Sequence, residues 1–170
     1  MRFIKLGLIS AAVLFMLVFI ISLLMPSSVV VSRAIDINAP ADSVHSLVNN
    51  LSRWSLWLEN YDSSKTTINQ NTTGKEVQLK MDNTTVTIIE SSPRSLKTIW
   101  QAGNSAPLPG VFDFIFHESS STTTVHWQFN QKLGWYPWEK FAGLFSEKAL
   151  GPFMDNSLLK LKQAAEHTKG

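Results

Sequence analysis

The chain has 170 residues, enough for one ordinary domain, and its 15 Lys and Arg against 13 Asp and Glu leave a net charge of +2. That balance gives no basic field for holding a nucleic acid backbone. The absence of cysteine excludes disulfides, thiolate metal sites, cysteine nucleophiles and lipidated-cysteine anchors. Hydrophobic residues make up 44% of the chain, and their excess lies in the first 25 positions.

From Leu6 to Met25 the sequence LGLISAAVLFMLVFIISLLM carries no charge, and Gly7, Ser10 and Ser22 are its only residues outside the hydrophobic set. At ~1.5 Å per residue such a helix spans about 30 Å, the thickness of a bilayer hydrocarbon core. Its Leu, Ile, Val and Phe residues favour insertion by roughly 4 to 8 kcal/mol on a helix-centre scale. The alternative is a cleaved signal peptide, because Arg2 and Lys5 form a basic start and Pro26, Ser27 and Ser28 follow the run. A signal core is usually ~7 to 15 residues and ends at a small-x-small site, whereas this run is longer and ends Leu23-Leu24-Met25-Pro26. The segment therefore reads as a cytoplasmic start and signal anchor over residues 1–25. The positive-inside rule puts the following domain on the extracytoplasmic side of the cell membrane as a single-pass protein. Residues 26–28 form a short linker that reaches at most about 11 Å, so the domain over 29–170 must sit close to the bilayer.

That domain is formally neutral, since setting aside Arg2 and Lys5 leaves 13 charges of each sign. Val29 to Ile37 alternates Val29, Val31, Ile35 and Ile37 on one side, with Arg33 in the same phase, and reads as a strand. After Asn38-Ala39-Pro40, the spacing of Val44, Leu47, Val48 and Leu51 predicts a short amphipathic helix with Asp42 at its positive start. Trp54, Trp57 and Leu58 suggest a second short helix or turn. A weak strand is expected over Ser64 to Gln70. Strands follow at Lys75 to Met81, Thr84 to Glu90, Ser95 to Gln101 and Gly110 to His117, with another through Val125, Trp127 and Phe129. The loop Ala102 to Pro109 is too long for a tight hairpin and suits either a lip over a cavity mouth or a plain connector. A helix is expected from Pro137 through Lys148, an interruption at Gly151-Pro152, and a final helix striped by Leu150, Phe153, Met154, Leu158, Leu161 and Ala165. The class is α+β: one curved antiparallel sheet covered by one long helix.

VVVSRAIDINAPADSVHSLVNNLSRWSLW (Val29 to Trp57) and SLLKLKQAAE (Ser157 to Glu166) resemble the first strand, Ala-Pro turn, short helix and Trp-rich segment, and the closing helix, of the START-like, helix-grip superfamily (SRPBCC). This superfamily includes polyketide cyclases, START lipid-transfer domains and the birch pollen allergens. The resemblance spans about residues 29 to 166. It implies a helix-grip fold with a cavity for a hydrophobic small molecule or lipid between sheet and C-terminal helix, but the superfamily's activities diverge and fold alone does not name one.

The expected cavity lining is Leu79, Met81, Ile88, Thr98, Trp100, Phe112, Phe114, Phe116, Trp127, Phe129, Phe153 and Leu158, with Arg33 either anchoring a ligand head group or reaching solvent. An apolar set of this kind describes a filled core as readily as a greasy pocket. It offers no convergent acid, base or nucleophile, so no catalytic residue and no cofactor are assigned, and the reading leans away from an enzyme. His117 and His126 fall out of phase with the inward stripes, and His117-Glu118 point to opposite sides of a strand, so no metal is expected. Trp54, Trp57, Trp135, Tyr136 and Trp138 cluster in helix or loop segments and either touch lipid or pack under the second helix and against the closing one, the latter being the commoner outcome. Sequons at Asn50, Asn71 and Asn83 matter only in a eukaryotic secretory route. The favoured function is non-catalytic binding of membrane lipid or an apolar small molecule. The alternatives are a polyketide cyclase or aromatase-type enzyme and a protein-interaction or chaperone-like module.

Overall fold

The computed structural model describes residues 2–69, 71–143 and 145–167. Gln70, the last residue of the weak strand expected from Ser64, and residues 168–170 at the end of the expected domain lie outside them. An apolar helix, α1 (Arg2–Leu24), leads into β1 (Ser28–Ile37) and α2 (Ala41–Asn49). A two-turn 3-10 helix, Leu51–Leu56, and a single turn, Ser63–Lys65, precede β2 (Thr66–Ile68), β3 (Gln78–Met81), β4 (Thr84–Ser92), β5 (Ser95–Ala102), β6 (Leu108–His117) and β7 (Thr122–Lys132). The chain closes with α3 (Pro137–Gly143) and α4 (Ser146–His167).

The seven strands form one antiparallel sheet in the order β1-β7-β6-β5-β4-β3-β2, so the chain meanders from β2 to β7 and then sets β7 against β1. Alternation places Val31, Ile37, Leu79, Val86, Ile88, Leu96, Phe112, Phe114, Val125, Trp127 and Phe129 on the covered face. A register shift between Ile88 and Glu90 bends β4, as an extra residue in one strand of a pair does. Across this face lies α4, packed chiefly on β1 and also on α2. Met154, Leu158, Leu161 and Ala165 recur at helical spacing on its buried side. The result is a sheet curved around a long C-terminal helix.

A local device joins the Trp-rich turn to the helix before it. The last carbonyls of α2 have no partner inside the helix, and two indoles supply it: Trp54 Nε1–H donates to the carbonyl of Val48 at 2.7 Å and Trp57 Nε1–H to that of Leu47 at 3.2 Å. Both rings are fully buried. The same two side chains that anchor the core therefore cap a helix end.

Several expectations need correction. Gly151-Pro152 does not interrupt the last helix, which runs unbroken from Ser146; the break falls earlier, between Gly143 and Ser146. Pro152 removes one backbone bond on the exposed side, while Gly151 beside it is buried against Arg33, where a Cβ would come within 2.5 Å of Nη2. Residues 75–77 lie before β3, because Glu76 takes φ 66° and its amide and the Val77 carbonyl pair with Ile88 as an irregular edge. Phe116 is in phase with Phe112 and Phe114 but is 44% exposed, since it pairs with Thr123 one step from the hairpin tip, beyond the cover of the helices.

The indole caps generate a stability prediction. Trp54→Phe keeps most of the ring contact but leaves the Val48 carbonyl buried without a donor, so unfolding free energy should fall by about 1 to 3 kcal/mol. Urea titration followed by circular dichroism checks this; an unchanged midpoint would show that the cap contributes nothing.

Candidate functional site

The space between sheet and helix is filled at one end and empty at the other. At the filled end Phe112 stacks on Trp127 at 4.7 Å, Trp57 meets both rings edge-on at 6.1 and 6.2 Å, and Trp54 stacks on Trp100 at 5.5 Å. Beyond Trp100 the packing stops. A cleft of about 960 Å³ opens there, near the upper end of the ~300 to 1,000 Å³ usual for small-molecule sites.

The sequence of α4 explains the change. Its second half presents Met154, Leu158 and Leu161 to the sheet, which fill the interval, whereas its first turns bring the small side chains of Ser146 and Ala149 to the cleft. Small side chains there leave Met81, Leu108, Leu150 and Phe153 only partly covered, facing the cleft. Trp100 and Phe129 form the floor, ring centroids 5.5 Å apart and edge-on. Trp100 is held by its indole N–H donating to Thr98 Oγ1 at 3.0 Å, and that hydroxyl donates onward to the Gly110 carbonyl at 3.2 Å. Gly110 has no alternative here, because a Cβ would lie 2.8 Å from Thr98 Oγ1 and 2.9 Å from the Phe129 ring.

The mouth follows one end of the sheet from edge to edge. Lys132 pairs with Ser28, Phe129 with Gly110, Leu108 with Trp100, Ala102 with Thr84, and Met81 with Thr84 and Thr66. This is the end at which the chain arrives from α1. Ser105 to Pro109 form part of the wall, so the long β5–β6 connection lies at the cleft and is no mere connector. Polar groups gather at the rim: Asn60, Asp62, Lys65, Asp82, Gln131 and Lys132. The Ser64 hydroxyl, at 2.7 Å, and its backbone N–H, at 2.9 Å, hold the Asp62 carboxyl below the usual carboxylate range.

Of the residues expected to line a cavity, Met81, Trp100, Phe129 and Phe153 do so. Leu79, Ile88, Thr98, Phe112, Phe114, Trp127 and Leu158 are buried in the filled part, and Phe116 lies outside on the hairpin. The interior is thus both of the things its apolar pattern allowed, a core and a pocket, divided by Trp100. The rim residues went unrecognised because they sit on turns and strand ends, where alternation carries no phase; only the Ala102 to Pro109 loop gave a signal.

Arg33 does not reach the cleft. It faces α4, as its phase indicated, and forms ion pairs with Glu147 and, at 2.9 Å, with Asp155. The Glu147 carboxylate, with Asp155 second, raises the guanidinium further above its already high range. These carboxylates lie two turns apart on the helix, so one arginine staples the cleft-lining turns of α4 to β1. His45 stands edge-on to Phe114 at 5.3 Å, and His117 bonds Thr124 at 2.9 Å, so neither joins the cleft. Among the described residues no group of three or more His, Asp or Glu gathers to hold a metal ion.

The staple gives a second prediction. Its partners are half exposed, so Arg33→Ala should cost only about 1 kcal/mol of global stability, while amide exchange over Glu147 to Phe153 rises more than over Leu158 to Ala165. Hydrogen-exchange mass spectrometry resolves the two segments; equal acceleration in both would contradict a local staple.

Known proteins share this architecture. A protein of unknown function from Staphylococcus aureus superposes with a TM-score of 0.63 at 9% identity, covering 84% of this chain and 97% of that one. A Nitrosospira multiformis protein gives 0.61 at 16% identity, covering 79% and 94%. A START superfamily protein from Mycobacterium smegmatis gives 0.56 at 12% identity, covering 82% and 98%. At these identities the likeness concerns fold. Comparison with curated proteins gives no match. The sequence family described as polyketide cyclase / dehydrase and lipid transport matches residues 28–166, well over half of the chain. The chain, with its sheet curved around a long C-terminal helix, therefore belongs to this polyketide cyclase / dehydrase and lipid transport family.

Proposed function

We propose that this protein is a membrane-tethered binding domain that takes up a hydrophobic small molecule or lipid in the cleft without chemically changing it. Residues 1–25 are the anchor, 26–28 the linker and 29–170 the START-like domain, held on the extracytoplasmic side of the cell membrane. The observation that carries the reading is the position of the cleft. Its apolar floor opens at the sheet end adjoining α1, a helix long and apolar enough to cross a bilayer. A guest leaving the lipid phase there would cross a rim of charged and amide groups and bury its apolar part against Trp100, Phe129 and Phe153. That division of polar rim from carbon floor suits an amphiphile.

The non-catalytic part of the reading is supported by the chemistry of the interior. The buried hydroxyls at the cleft are already engaged, Ser146 donating to Gln131 Oε1 at 2.5 Å and Thr98, behind Trp100, donating to the Gly110 carbonyl and accepting from the Trp100 indole. The charged side chains stand at the mouth, facing water, where a general acid or base gains little from desolvation. Turnover of an added polyketide or ester substrate, lost on Thr98→Val, would instead select the cyclase-type enzyme.

The test uses full-length protein in nanodiscs containing a phospholipid with a photoactivatable diazirine on its acyl chain. After irradiation, cross-links should map to peptides carrying Trp100, Phe129 and Phe153 as well as to α1. Ala149→Trp, which puts an indole into the cleft, should cut the cleft cross-links at least fivefold and leave those on α1 unchanged. Cross-links confined to α1, or equal in the two proteins, would overturn the proposal.

A further inference from the structure

We propose that the exposed aromatic face of α3 is a second membrane contact, lying in the interfacial layer of the leaflet next to the domain and fixing the domain's tilt on the bilayer. The inference rests on reading α1 as a membrane span.

Trp135, Tyr136 and Trp138 form a continuous ring stack, with centroids 4.3 and 4.6 Å apart, and Trp135 and Trp138 are each 61% exposed. Phe141 follows Trp138 by three residues and shares its side of α3. Of the aromatic residues expected to pack under the second helix or against the closing one, Trp54 and Trp57 do pack beneath α2, whereas Trp135 and Trp138 remain largely exposed. A soluble surface has little use for three stacked, exposed rings, but indole and phenol rings favour the boundary between acyl chains and water.

Depth decides what covers them. The end of α1 and the residue that follows it are packed along one stripe, Val18, Ser22 and Met25, with Ser22 fully buried. Phe19 meets Trp135 edge-on at 6.3 Å. Phe19 lies five residues before the end of α1 at Leu24, about 8 Å along the axis at 1.5 Å per residue. Lys140 Nζ donates to the Met25 carbonyl at 2.9 Å, and the Leu133 amide to that of Ser27 at 2.9 Å, so α3 and the strand leading to it are tied to the helix exit. If α1 spans, Trp135 cannot rise clear of the membrane; it is held below the level at which the chain emerges. The exposed sides of Tyr136 and Trp138 then face headgroups and upper acyl chains, the depth at which amphipathic segments lie. A bilayer is the occupant that this geometry supplies without any further partner. With α1 and α3 as two contacts, the domain cannot swing freely about residues 26–28.

The chain lacks cysteine, so single labels can be placed directly. Bimane is attached at Trp138→Cys, at Phe141→Cys, at Ile115→Cys, an exposed side chain near the end of β6 away from the anchor, and at Leu14→Cys within α1. Each full-length protein is reconstituted in phosphatidylcholine vesicles holding phospholipid spin-labelled at acyl carbon 5 or 12. Near-ultraviolet circular dichroism confirms folding, and two positions on this aromatic face, the shelf, guard against loss of one variant. The labels at 138 and 141 should be quenched by the carbon-5 lipid at least threefold more than the label at 115, and be shielded from iodide. If they match the label at 115 while the label at 14 is strongly quenched, the shelf proposal fails and the anchor stands. Shielding from iodide without lipid quenching would mean that protein, such as a second copy, covers the shelf, which also overturns it. An unquenched label at 14 would sink the spanning reading and this inference with it.

Discussion

A sheet bent around a helix encloses more volume than backbone contact can close, and side chains must decide how much of it stays empty. Here the decision is made by interlocked aromatic rings. Trp57, Trp127 and Phe112 fill one half of the grip, and Trp54 backs Trp100. Two of these indoles also satisfy the orphan carbonyls of α2, so the packing that fills the core fixes the short helix covering it. Trp100 is the boundary. One face of its environment is core, the other is cleft, and its orientation is set by a hydrogen bond to Thr98. Interiors normally pack at crystal density, so an apolar space bordered by Met81, Leu108, Leu150 and Phe153 is the feature that calls for a guest.

The opening of α4 completes this division. Ser146 and Ala149 stand where large side chains would close the space, and on the neighbouring side of the helix Gly151 makes room for the Arg33 guanidinium. Helix, arginine and cleft are therefore one arrangement. Arg33 holds the thinly packed turns of α4 in place from outside, where its charge remains partly hydrated, and the inside is left to apolar surface.

The sequence made the elements legible wherever burial imposes a period. The alternation Val125, Trp127, Phe129 and the helical stripe Met154, Leu158, Leu161, Ala165 read directly into the sheet face and the closing helix. The phase of Arg33 was legible too, but not its partners, because Glu147 and Asp155 are more than a hundred residues away in the chain. Phe116 shows where periodicity stops being informative: alternation gives a side, and only the length of the covering helices says whether that side is covered. Gly151-Pro152 reads as a break on propensity alone, and tertiary packing against β1 overrides it. The cleft rim was beyond reach because it assembles turns that register alone brings together, and Trp135 to Trp138 because their surroundings depend on how α3 meets α1.

The central claim is that the vacant half of the grip is a binding site and not space that closes in solution. A crystal structure of the full-length chain, purified from membranes in mild detergent without lipid stripping, tests this most directly. The account predicts elongated apolar density along Trp100, Phe129 and Phe153, with the α4 turns from Ser146 to Phe153 standing off the sheet. Finding those turns collapsed, with Leu150 and Phe153 seated on Met81 and no volume left between them, would contradict it.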